Sequence, residues 1–167
     1  MTYTYKYPRP AFTVDAVVID FSGEKVLLVK RKNDPFQNQW ALPGGFVEID
    51  EQGIEAVKRE VKEECNLNVN PLIEIGCFDQ VDRDPRGRVI SLVFLCEIAN
   101  TANLAKAGSD AAEIDWFPFS TLPKLAFDHS RIIEHALVKA NKELIFLNYQ
   151  NLPIPQSIKS FVSKSKK

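Results

Sequence analysis

One helix-forming segment constrains this chain more than any other. From Ile54 to Cys65 the apolar residues Ile54, Val57, Val61 and Cys65 fall within about 80° on a helical wheel at 100° per residue. Glu60, Glu63 and Glu64 crowd the flank beside that stripe at spacings of three and four residues, while Glu55, Lys58 and Lys62 occupy the far side. Neighbouring like charges on a helix repel by about 0.2–0.5 kcal/mol per pair, and an adjacent apolar stripe raises that penalty by partial desolvation. A divalent cation converts the penalty into affinity, and hard carboxylate oxygens suit Mg²⁺ or Mn²⁺. The ordinary alternative is a solvated Glu/Lys face, so the segments around the helix have to decide.

The preceding Pro43-Gly44-Gly45 allows backbone to approach a ligand closely, although a plain tight turn would use the same residues. Upstream, Phe12 to Phe21 reads as a β-branched strand, Ser22-Gly23-Glu24 as a turn and Lys25 to Lys32 as the hairpin partner. A helix is expected from near Glu51 to Cys65. Pro71 to Val81 and Arg88 to Ile98 read as strands joined by the turn-rich Asp82–Gly87. Ala99 to Asp110 reads as loop and Glu113 to Phe119 as a short strand. Asp128 is a good N-cap for a helix from His129 to Leu147. Early strands with two helices to cover them predict one α/β sandwich with a mixed sheet, spanning residues 1–150 as a single domain. Residues 151–167 read as a partly flexible tail with four lysines after Ser157.

Bulk properties narrow the function classes. The chain has 167 residues, 45% hydrophobic and 26% charged, with a net charge of −1. That balance carries no basic footprint for nucleic acid or an anionic membrane. No apolar run reaches the roughly 20 residues of a membrane helix, and the N-terminus lacks the apolar stretch of a secretory signal. Cys65, Cys77 and Cys96 are odd in number, lie in apolar segments and read as reduced, buried small hydrophobes. These features together predict a cytoplasmic protein.

The spacing of the whole segment is more specific than its parts. Gly45, five residues, Glu51, seven residues, Arg59-Glu60-Val61, one residue, Glu63-Glu64, one residue, Asn66-Leu67 resembles the Nudix box, G-x5-E-x7-R-E-U-x-E-E-x-G-U with U aliphatic. A single position departs from it, Asn66 standing for glycine. Asparagine is the residue after glycine most at home in a left-handed helix stop, so the box is expected to fold normally. The resemblance implies a Nudix-type α/β/α sandwich with a mixed β-sheet and a small-molecule nucleotide substrate. It also implies that Glu60, Glu63 and Glu64, with the Gly44 carbonyl as an additional ligand, hold Mg²⁺ (or Mn²⁺). Glu51 and Arg59 would pair to anchor the loop, and the general base would be Glu63, Asp110 or Glu113.

Flanking segments, roughly residues 11 to 140, are similar to a branch of ADP-ribose pyrophosphatases. They are Thr13-Val-Asp-Ala-Val-Val18, Trp40 to Glu48, Arg83-Asp-Pro-Arg-Gly-Arg88, Trp116-Phe-Pro and Leu125-Ala-Phe-Asp-His129. The resemblance implies ADP-ribose hydrolysis and a homodimer. Arg83, Arg86 and Arg88 could offer forked donors to phosphate or ribose; the alternative is a hairpin tip of solvated arginines. Phe36 or Phe127 could stack on adenine, against a core or rim role, and His129 could touch substrate or pack the helix start. Two other functions stay open: removal of damaged nucleoside triphosphates, and a non-catalytic ADP-ribose sensor joined to a DNA-binding module. The intact glutamates, and the about 20 residues after Leu147, argue against the sensor.

Overall fold

A computed structural model describes residues 4–20, 24–98 and 111–146. Its elements are β1 (Ala11–Asp20), β2 (Lys25–Arg31), β3 (Trp40–Ala41), β4 (Gly44–Phe46), α1 (Gly53–Cys65), β5 (Val69–Phe78), β6 (Val89–Ile98), β7 (Ala111–Pro118) and α2 (His129–Phe146). The strands form one sheet in the order β3-β2-β1-β6-β5, with β4 added to β1 and β7 to β2. β1 runs parallel to β6 and the other pairs are antiparallel, so the sheet is mixed as expected.

The chemistry of β1 explains its central place. Val17 and Ile19 pack toward α2, and Val14, Ala16 and Val18 toward α1. A strand covered on both faces needs a continuous apolar run and not an alternating one, and β1 has it. On α1, Ala56, Val57, Val61 and Cys65 are all fully buried, each valine contributing about 1.5–3 kcal/mol of burial. The helix ends as its sequence predicts: Asn66 is left-handed (φ 54°, ψ 29°) and its N–H closes on the Lys62 carbonyl.

Two expectations about burial fail. Ile54 is 42% exposed, because the face α1 buries includes Ala56 and is turned away from Ile54 toward Glu60 and Glu64. Cys77 is exposed while Cys65 and Cys96 are buried; Cys77 lies on β5, an edge of the sheet. Among the described residues no helix is long and apolar enough to cross a membrane. The expected loop from Ala99 to Asp110 and the tail from Leu147 onward lie outside the described residues.

Candidate active site

The rotation of α1 decides how its three acids are used. Glu60 is 13% exposed in its side chain and Glu63 54%. Glu60 and Glu64 line a groove with Gly44, Gly45, Phe46, Arg59 and Arg86. Burial raises the Glu60 pKa, a neighbouring effect that Arg59 opposes by hydrogen bonding. The Glu64 carboxylate accepts the Gly44 N–H at 3.0 Å, joining helix to glycine loop.

Arg59 organises the other side. Its Nη2 and Nε reach both oxygens of Glu51 at 2.6 and 3.0 Å, and Nη2 also donates to the Phe46 carbonyl at 3.0 Å. Its Nη1 donates to Glu60 at 2.9 Å and to Glu63 at 3.2 Å. The Glu51–Arg59 fork is the geometry that only a planar guanidinium supplies, and its hydrogen bond pulls the Glu51 pKa down.

Do these residues fit a divalent cation? Among the described residues no three His, Cys, Asp or Glu side chains gather in a cation-holding cluster. The donor chemistry nonetheless fits: the half-buried carboxylates of Glu60 and Glu64 line one groove with the Gly44 backbone, all of them hard oxygen donors. Bare Gly45 leaves the Glu60 carboxylate its space, since a Cβ there would stand 2.6 Å from Oε2.

Beyond the glycine loop the groove continues past Thr13, Asp15, Arg31, Asp84, Arg86, Phe127 and His129. Arg86 is held by Asp84 through Nε at 3.0 Å and Nη2 at 2.7 Å, and its guanidinium lies 5.2 Å from the Phe46 ring centre and 5.6 Å from that of Phe127. Arg31, fixed by its Nε donating to the Pro35 carbonyl at 2.7 Å, lies 4.9 Å from the Phe127 ring centre. Burial and the Arg86 charge lower the Arg31 pKa. Two cations share one aromatic ring, and Phe36 meets the same ring edge-on at 4.8 Å.

The other residues singled out in the sequence have different partners. Arg83 is 8% exposed and its fork is closed on Asp128 at 2.8 and 3.1 Å. Arg88 donates to the Asp79 and Gln80 carbonyls and braces its own turn. His129 is 4% exposed and its Nδ1 accepts the Leu42 N–H at 2.8 Å. Glu113 pairs with Lys30 at 3.1 Å; strand alternation sets it with Phe117 on the α2 face, across the sheet from α1. Asp110 lies outside the described residues. Sequence reasoning missed Arg31, Asp84 and Asp15. The one available signal was Asp15 itself, a lone carboxylate inside an apolar strand.

A family model for the NUDIX domain matches residues 9–136. The chain belongs to the Nudix family. This Nudix chain is 48% identical over 128 residues to an ADP-ribose pyrophosphatase of Methanocaldococcus jannaschii, covering 77% of this chain and 73% of that one. It superposes on a MutT/nudix family protein from Enterococcus faecalis with a TM-score of 0.74 and 33% identity, covering 86% of this chain and 66% of that one. A bifunctional NMN adenylyltransferase/ADP ribose pyrophosphatase from Francisella tularensis, complexed with AMP and a Mn ion, gives a TM-score of 0.72 at 34% identity. There the coverage is 81% of this chain and 43% of that one. This is a Nudix hydrolase of the α/β class, and Nudix hydrolases generally use divalent metals.

Proposed function

We propose that this Nudix hydrolase cleaves the pyrophosphate of a nucleoside diphosphate derivative, with ADP-ribose giving AMP and ribose 5-phosphate. The observation that carries the reading is the continuity of the groove. It runs from Glu60 and Glu64 past Gly44 to the Arg31–Arg86–Phe127 cluster. Glu60, Glu64 and the Gly44 carbonyl would hold Mg²⁺ or Mn²⁺, with Glu63 one guanidinium away on Arg59. A cation so held neutralises phosphate charge and lowers the pKa of an attacking water.

The chain's own residues account for recognition. Arg86 and Arg31 face one ring with like charge, and a pyrophosphate between them would relieve their repulsion. Phe46 and Phe127 offer aromatic surface to a base or ribose. Water adds to one phosphorus, the bridging P–O bond breaks, and the bridging oxygen leaves on the other phosphate. Positioning and charge neutralisation would do most of the work. Arg83, Arg88 and His129 support the groove in this reading, and of Glu63 and Glu113 it is Glu63 that lies on the helix lining the groove.

Purified protein with Mg²⁺ is expected to release AMP from ADP-ribose faster than it converts any (deoxy)nucleoside triphosphate in a side-by-side panel. Preference for triphosphates would transfer the assignment to pool sanitising, and binding of ADP-ribose without turnover to a sensor. A cytoplasmic homodimer belongs to the same proposal. Light scattering on a sizing column is expected to return twice the chain mass, and a monomer at micromolar concentration refutes the dimer.

A further inference from the structure

A set of buried polar groups lies at and beneath the far end of the groove, and the reaction described above uses none of them directly. Asp15, Arg83, Ser91 and His129 are each less than a tenth exposed. Their focus is a short stretch of backbone. β3 ends its ladder at Ala41, opposite Val29. The next residue, Leu42, is 2% exposed, and its N–H goes to the His129 imidazole. Pro43 has no N–H, and its carbonyl accepts the Ala16 N–H at 2.8 Å. Gly44 then donates to Glu64. The segment carrying the glycine loop is therefore gripped by His129 on one side and by Glu64 on the other.

We propose that His129 is a positioning residue: through the Leu42 amide it fixes the Leu42–Gly45 segment, and so sets where Gly44 meets Glu64 for cation binding. Accepting at Nδ1 places the ring proton on Nε2, which lies 3.7 Å from Asp15 Oδ1. Burial lowers the His129 pKa, which keeps the ring neutral and able to accept. Asp15 is fixed in turn by the Ser91 hydroxyl, which donates to Oδ2, and by Arg83 at 3.6 Å. Arg83 closes on Asp128, the residue before His129. The circuit makes the start of α2, the arginine turn and the glycine loop one rigid support. Removing His129 orphans a buried amide donor, and a donor in that position is expensive to leave unpaired.

The inference rests on the groove being a cation-dependent hydrolytic site, and its test separates the two. Mn²⁺ affinity of the full chain is read from the paramagnetic resonance signal of the free ion, beside turnover of ADP-ribose, for wild type, His129→Leu and His129→Asn. Outer supports of metal ligands are worth about 10–100-fold in affinity, and His129→Leu is expected to lose that much. Its kcat falls while KM for the nucleotide stays nearly unchanged. His129→Asn recovers most of the loss, because its amide oxygen can take the Leu42 N–H, and exchange of the Leu42 amide slows again. A folded His129→Leu that binds Mn²⁺ like wild type overturns the proposal. So does an Asn variant that folds yet binds as weakly as His129→Leu, and where the Leu variant does not fold, an Asn variant that binds about tenfold or more below wild type does the same. Wild type that binds Mn²⁺ but leaves ADP-ribose intact removes the substrate reading alone, and the Mn²⁺ comparison still decides the role of His129.

Discussion

Glu64→Gln leaves the fold intact and removes nearly all turnover. The amide oxygen of glutamine can still accept the Gly44 N–H that Glu64 holds at 3.0 Å, so the joint between α1 and the glycine loop persists. What disappears is the charge. A bound cation contributes several kcal/mol of charge stabilisation during hydrolysis, and each factor of ten costs about 1.4 kcal/mol, so a loss on the order of a thousandfold in kcat is expected. The melting temperature should stay within a few degrees of wild type or rise, since a partly desolvated carboxylate beside Glu60 is replaced by a neutral group. Turnover within about tenfold of wild type would place the chemistry elsewhere. The comparison needs both readings, kinetics and melting, because only their divergence separates a lost ligand from a lost fold.

Gly45→Ala is the second large effect, and it reaches the site through a different residue. A Cβ on Gly45 overlaps the carboxylate of Glu60, 2.6 Å from Oε2. That carboxylate is the far end of a flexible side chain and can swing aside at the cost of its hydrogen bond from Arg59, so stability should fall by about 1 kcal/mol. Once displaced, Glu60 no longer faces the groove, and both Mn²⁺ affinity and kcat should drop strongly. Gly44→Ala provides the contrast. There the added carbon overlaps the Val14 backbone carbonyl and stands 3.0 Å from the Asp15 Cα, atoms that cannot move without shifting β1. The expected signature is an active-site defect with a near-normal melt for Gly45→Ala and a depressed melt for Gly44→Ala. Equal melts and equal activities in the two variants would remove the steric account.

The Arg59 constellation shows why some of the site was readable in advance. Glu51 and Arg59 lie eight residues apart, Glu60 and Glu63 lie next to Arg59 and one turn on, and all of them belong to one loop and one helix. The family resemblance implies the Glu51–Arg59 pairing, and the structure contains it at 2.6 Å, between residues of one loop and one helix. Asn66 is similar: a left-handed helix stop is a property of a residue and its immediate neighbours.

The arginine turn was read less well for the opposite reason. Arg83, Arg86 and Arg88 are chemically alike and separated by single residues, yet their surroundings differ completely. Arg83 is buried against Asp128, 45 residues away. Arg86 lies over Phe46 and Phe127, and Arg88 turns back on its own loop. No local pattern distinguishes the three, because what separates Arg83 and Arg86 from Arg88 is contact with distant residues, Asp128 for the first and Phe46 and Phe127 for the second. Arg31 escaped notice on the same ground, since its aromatic partner follows it by nearly a hundred residues.

By itself, then, the sequence determined the carboxylate helix, its glycine loop, the Asn66 stop and the family those spacings resemble, with the Glu51–Arg59 brace implied by that resemblance. These depend on helical periodicity and backbone conformation, which act over a few residues. Only the tertiary structure decided which face of α1 is buried, placing Glu60 and Glu64 at the groove, leaving Glu63 outside and exposing Ile54. It also buried His129 against the Leu42 amide and set Glu113 across the sheet from α1. The physical reason is that burial belongs to the packed surface a residue meets, and that surface is assembled from strands distant in the chain.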